Sequence, residues 1–130
     1  MKKDEFLALK SWAVAGDVLN PDKYAYKIVQ KLESKGYQVS RLNPSGGEGV
    51  YAKLAELAIK PDVLCLVINP RAGEQYLEQA AALGVGKAWL QPGADTEAIM
   101  ARCKTLGLDF IQACVLVEMR AREAAETNRA

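Results

Sequence analysis

The chain has 130 residues, half of them apolar and a quarter charged, with 17 basic against 16 acidic side chains and a net charge of +1. That length fits one domain, residues 1–130, able to bury a core without disulfides or metal. The charge balance gives nucleic acid nothing to grip, and no run approaches the roughly 20 apolar residues that cross a bilayer. The opening "MKKDEFLALKSW" has positive charge but lacks the apolar stretch of a secretory signal. Cys65, Cys103 and Cys114 are odd in number and far apart, and there is no histidine. A disulfide framework, a zinc site and Ser–His or Cys–His nucleophiles are therefore not expected, and a reducing cytoplasm is the expected setting.

In chain order, "KDEFLALK" at 3–10 predicts a short helix, and "WAVA" at 12–15 a buried strand. Asn20 suits an N-cap and Pro21 a first helical position. Tyr24, Ile28 and Leu32 then recur on one face, with Ala25 and Val29 beside them, up to a stop at Gly36. "YQVSRL" at 37–42 is the second strand, "NPSGGEG" a loop, and "YAKLAEL" at 51–57 a short helix. "DVLCLVI" at 62–68 is the third strand, followed by a helix near 73–83. "KAWLQ" at 87–91 is the fourth strand, 95–106 a helix, "DFIQAC" at 109–114 the fifth strand, and the rest a helix with a polar tail.

The strands recur about every 25 residues, the length of one βα unit. Apolar strands alternating with helices imply a five-stranded parallel sheet covered on both faces, a doubly wound three-layer α/β sandwich. A ligand then sits at the carboxyl ends of the strands, so the exit loops "GDVLNP", "NPSGGE", "NPRAG", "QPGAD" and "ACVLVE" matter most. The dinucleotide fingerprint GxGxxG is missing, because Val18 stands where its second glycine should follow Gly16. No GK[ST] occurs either. Nicotinamide cofactors and nucleotide hydrolysis are disfavoured.

The ordered set "AVAG-x3-NPDKYAYKIVQKLESKGYQV", "LNP", "DVLCLVINPRA", "WLQPGA" and "C-x3-E" over residues 10–122 resembles the small stand-alone CoA-binding proteins. These are related to the nucleotide-binding half of succinyl-CoA synthetase α subunits. The resemblance implies a Rossmann-like sheet in the order 3-2-1-4-5, with CoA across the strand ends. It implies a ligand site at Gly16, Asp17, Val18 and Lys23 in the first turn, and at Asn43 and Pro44 after the second strand. It adds Pro70 after the third, Gln91 and Gly93 after the fourth, and Cys114 after the fifth. The chain departs from its relatives at Ile68 and Asn69, where they carry basic residues; Arg71, able to fork onto a phosphate, is the nearest guanidinium.

Each of these positions also has a plainer reading. Gly16 can simply end a strand, and Asp17 can either accept from a ligand hydroxyl or satisfy the turn, while repelling phosphate. Lys23 near a helix start opposes the helix dipole unless an anion binds there, or it is merely solvated. "PSGGEG" is a lid or a connector. Cys65, Cys103, Trp12 and Trp89 read as core. The expectation is a CoA or acyl-CoA binding module without catalytic machinery. It takes a small-molecule nucleotide and neither nucleic acid nor membrane, and a homodimer stays open. Two alternatives remain: an interaction protein with an altered ligand or none, and an acyl-CoA enzyme with Cys114 as nucleophile.

Overall fold

Side chains alternate along each central strand, and the alternation decides which layer each helix joins. The computed structural model describes residues 2–129. Six strands form one parallel sheet: β1 (Ser11–Gly16), β2 (Gln38–Leu42), β3 (Val50–Tyr51), β4 (Val63–Val67), β5 (Lys87–Leu90) and β6 (Asp109–Gln112). Their order is 3-2-1-4-5-6. The helices are α1 (Lys2–Ala8), α2 (Tyr24–Ser34), α3 (Pro70–Leu83), α4 (Glu97–Thr105) and α5 (Val115–Arg129).

Trp12, Val14, Val63, Cys65, Trp89 and Ile111 face one side, where α1, α2 and α5 bring Phe6, Ile28, Leu32, Val115 and Met119. Ala13, Ala15, Leu64, Leu66, Ala88 and Leu90 face the other, against Tyr76 and Leu77 of α3 and Ile99 and Cys103 of α4. This is the three-layer Rossmann-like sandwich that the apolar runs imply. Trp12 and Trp89 are fully buried, their rings 5.4 Å apart, and both indole N–H groups donate to backbone carbonyls, Leu9 and Ala113.

The sheet carries one strand more than the five expected. Val50–Tyr51 pairs with Arg41–Leu42 and takes the edge place that the expected order gave to the third strand, while the strand expected at 62–68, β4, lies beside β1 instead. The helix expected over 51–57 shrinks to a 3₁₀ turn at Leu54–Glu56. Asn43 explains why: its N–H donates to the Tyr51 carbonyl at 3.0 Å, drawing that segment into the sheet.

Two helix starts also differ from expectation. α2 begins at Tyr24 rather than Pro21, because the Asn20 carboxamide accepts from Asp22 N–H at 3.0 Å and closes a separate turn. α3 begins at Pro70, earlier than expected, because Asn69 caps it by accepting from Ala72 N–H at 3.0 Å. Tyr24 is not on the core face either; it is 64% exposed, while Ala25, Ile28, Val29 and Leu32 are buried.

Candidate functional site

In the order 3-2-1-4-5-6 the chain leaves β1 toward β2 and leaves the adjacent β4 toward β5, in opposite directions. The two loops therefore diverge and leave a gap at the carboxyl end of the sheet. An open crevice of about 810 Å³ lies there, within the range usual for small-molecule sites.

Gly16 sets its floor. A Cβ on Gly16 would lie 2.5 Å from the Val67 carbonyl oxygen and 2.8 Å from the Ala25 side chain. β1, β4 and α2 can approach so closely only because that atom is missing. The Gly16 carbonyl accepts from Val18 N–H at 2.9 Å, turning the chain tightly around Asp17. It also accepts from Asn43 Nδ2 at 2.8 Å, which ties the exit of β2 to the exit of β1. Asn43 Oδ1 accepts from Ser45 N–H at 2.9 Å. Both ends of the Asn43 carboxamide are thus committed to shaping the loops. Leu19 packs on Gly47, so the glycine-rich loop closes one side.

Beyond this turn stands the start of α2. Its N-cap, Lys23, has no oxygen to offer and forms no side-chain cap. Lys23 N–H donates to Asn20 and Lys27 N–H to Lys23, whereas the amides of Tyr24, Ala25 and Tyr26 find no partner among the described residues. Each of the other long helices has a first-turn amide taken by a side chain: Asn69 at α3, Thr96 at α4, and Gln91 at α5, whose Oε1 accepts from Val115 N–H at 2.6 Å. The open helix end is the one whose first residues, Tyr24 and Ala25, line the crevice.

Among the residues singled out from the sequence, Asp17, Val18, Lys23, Asn43 and Pro44 line this crevice, with Gly16 beneath them. Pro70 and Arg71 occupy the exposed first turn of α3, just past the lining residue Asn69. Gln91 is buried and holds α5, Gly93 sits in an exposed turn with its N–H on Asp95, and Cys114 is half-buried at the start of α5. These last three lie at the exits of β5 and β6, outside the crevice. Sequence reasoning did not single out Leu19 and Tyr24 as crevice residues. Their signal is a large apolar or aromatic side chain beside a helix start that fails to join the core face, and both are more than half exposed.

An all-parallel doubly wound sheet with a crevice at its switch point defines a Rossmann-like α/β domain. The CoA binding domain matches residues 10–120, and the chain belongs to that family. Solved structures agree. A conserved hypothetical protein from Pyrococcus furiosus is 34% identical, covering 84% of this chain and 98% of that one, with a TM-score of 0.75. A protein from Thermus thermophilus is 27% identical over 92% and 96% of the two chains, with a TM-score of 0.81. A hypothetical protein from Pyrococcus horikoshii OT3 shares the fold at a TM-score of 0.83, with 24% identity over 93% and 91%.

Proposed function

We propose that the protein binds coenzyme A or an acyl-CoA in this crevice and acts as a binding module without chemistry of its own. The observation that carries the reading is the open N-terminus of α2. Unpaired first-turn amides, the positive end of the helix dipole and a lysine, Lys23, stand together at the crevice, where a diphosphate would lie. Family membership names the ligand class. The adenine takes the space between the exits of β2 and β4, beside Leu19 and Tyr24. The pantetheine arm runs across the exits of β5 and β6, past Gly93 toward Cys114.

A binding role is supported by the side chains available. No histidine exists in the chain, so neither a Ser–His nor a Cys–His nucleophile can form. The free thiols Cys65, Cys103 and Cys114 suit a reducing compartment such as the cytoplasm.

Thermal unfolding with CoA, dephospho-CoA, NAD, NADP and ATP tests the reading. Ligand at about 100 times its Kd stabilises by roughly 2.7 kcal/mol, a rise in Tm of about 10 °C for a domain of this size. The CoA forms should give that shift and the nicotinamide dinucleotides should not. An unchanged Tm with every CoA form overturns the proposal.

A further inference from the structure

Asp17 sits at the apex of the first turn, exposed, and is one of the residues lining the crevice. It satisfies nothing in the protein: no hydrogen bond or ion pair joins it to any described residue. Of the residues lining the crevice, only Asp17 and Lys23 are charged, so the lining is neutral overall. The other cations nearby are not part of the lining. Arg41 is paired with Glu33 at 2.9 Å, the Lys27 ammonium lies 5.9 Å from the Tyr24 ring centre, and Arg71 is not part of the lining. The Asn69 carboxamide oxygen is committed to its helix cap.

CoA brings two kinds of negative charge to such a crevice, a diphosphate and a 3′-phosphomonoester on the ribose. The diphosphate has the open helix end and Lys23. The phosphomonoester carries nearly two charges at neutral pH and meets Asp17 with no second lining cation. An ionised carboxylate only accepts hydrogen bonds. It is matched by a ribose diol, which offers two O–H donors, and mismatched by a phosphate. The same chemistry lets an acidic residue accept the ribose hydroxyl of NAD in other Rossmann sheets.

We infer that Asp17 makes this site select a CoA-type ligand with an unphosphorylated ribose, so that dephospho-CoA binds more tightly than CoA. The inference rests on the CoA-type reading above and specifies the form of the ligand.

Calorimetric titration of the whole chain with CoA and dephospho-CoA, at low and high salt, decides it. Dephospho-CoA is expected to bind about twofold to fivefold more tightly at low salt, the span of one exposed charge interaction, and the difference should shrink as salt screens it. Asp17→Asn keeps the shape and removes the charge, so it should bring the two affinities together by strengthening CoA. CoA binding more tightly than dephospho-CoA overturns this inference and leaves the CoA reading standing, with Arg71 as the first candidate for the phosphate's partner. A ratio that Asp17→Asn does not move also overturns it. Binding of neither ligand to folded protein removes both proposals. The comparison on the unsubstituted chain needs no variant to fold.

Discussion

Gly16 shows how much one missing atom can decide. Its backbone is not in the left-handed region, so conformational freedom is not why glycine stands there. Close approach is: the Val67 carbonyl and Ala25 occupy the space a side chain would need. A backbone oxygen cannot rotate away, so Gly16→Ala must push β1, β4 and α2 apart. We expect a loss of about 1–3 kcal/mol in urea unfolding, the usual cost of overpacking. An unchanged unfolding midpoint would mean that the crevice floor is soft. The sequence made Gly16 legible as the end of a strand and the start of a ligand turn. It did not reveal that the glycine is needed by packing, because Val67 lies far along the chain. Gln91 is a similar case. It looked like a ligand residue on the pattern "WLQPGA", and the fold buries it as the cap of α5.

At the scale of an element, α2 is the informative one. Its core face was legible from the spacing at Ala25, Ile28, Val29 and Leu32, but not at Tyr24, which the spacing puts on that face and the fold exposes. Its start was not, because Asn20, the residue suited to cap it, closes a turn of its own instead. The result is a helix whose first amides are left free beside Lys23. Lys23→Ser tests whether that opening is kept for a ligand. A serine oxygen caps the helix and removes the cation that opposes its dipole. The free protein should gain about 0.5–1 kcal/mol. Binding of CoA-type ligands should weaken at the same time, because the cap takes up the amides and the cation is gone. Thermal unfolding without ligand and titration with it read the two effects separately. A gain in stability with unchanged affinity would place the phosphates elsewhere.

Across the whole molecule, the two apolar layers set how it responds to pH. Burial pushes the Cys103 thiol up to about 11 and the Tyr76 phenol up to about 12, the latter helped by the nearby Glu56 carboxylate. Burial raises Cys65 further, with the neighbouring Cys114 adding to it. Each group keeps its proton longer when folded than when unfolded, so unfolding releases protons at alkaline pH. The stabilisation is complete below the ordinary thiol range near pH 9 and is lost as pH rises from there toward 11. Urea midpoints should therefore fall across that window, and Cys103→Ala should lessen the fall. A midpoint that stays level from pH 8 to 11 contradicts the burial of these groups. Near neutral pH the same layers should leave Cys114 as the thiol that reacts first with an alkylating probe, since Cys65 and Cys103 are fully buried.

The layered fold is legible along the chain, because period and polarity are local. Apolar runs such as "DVLCLVI", recurring helices and glycine stops are each contained in a few consecutive residues. Which loops gather at the ligand end is legible too, since every strand of a parallel sheet delivers its exit to the same edge. The rest follows from contacts made on folding. Folding drew Val50–Tyr51 into the sheet through the hydrogen bond from Asn43, and it divided the exit loops into those around the crevice and those beyond it. It committed Asn43 and Gln91 to holding the scaffold while leaving Asp17 and Lys23 free. The physical reason is the same in each case. Whether a polar group is available to a ligand depends on partners distant in sequence, and these are known only once the chain has folded.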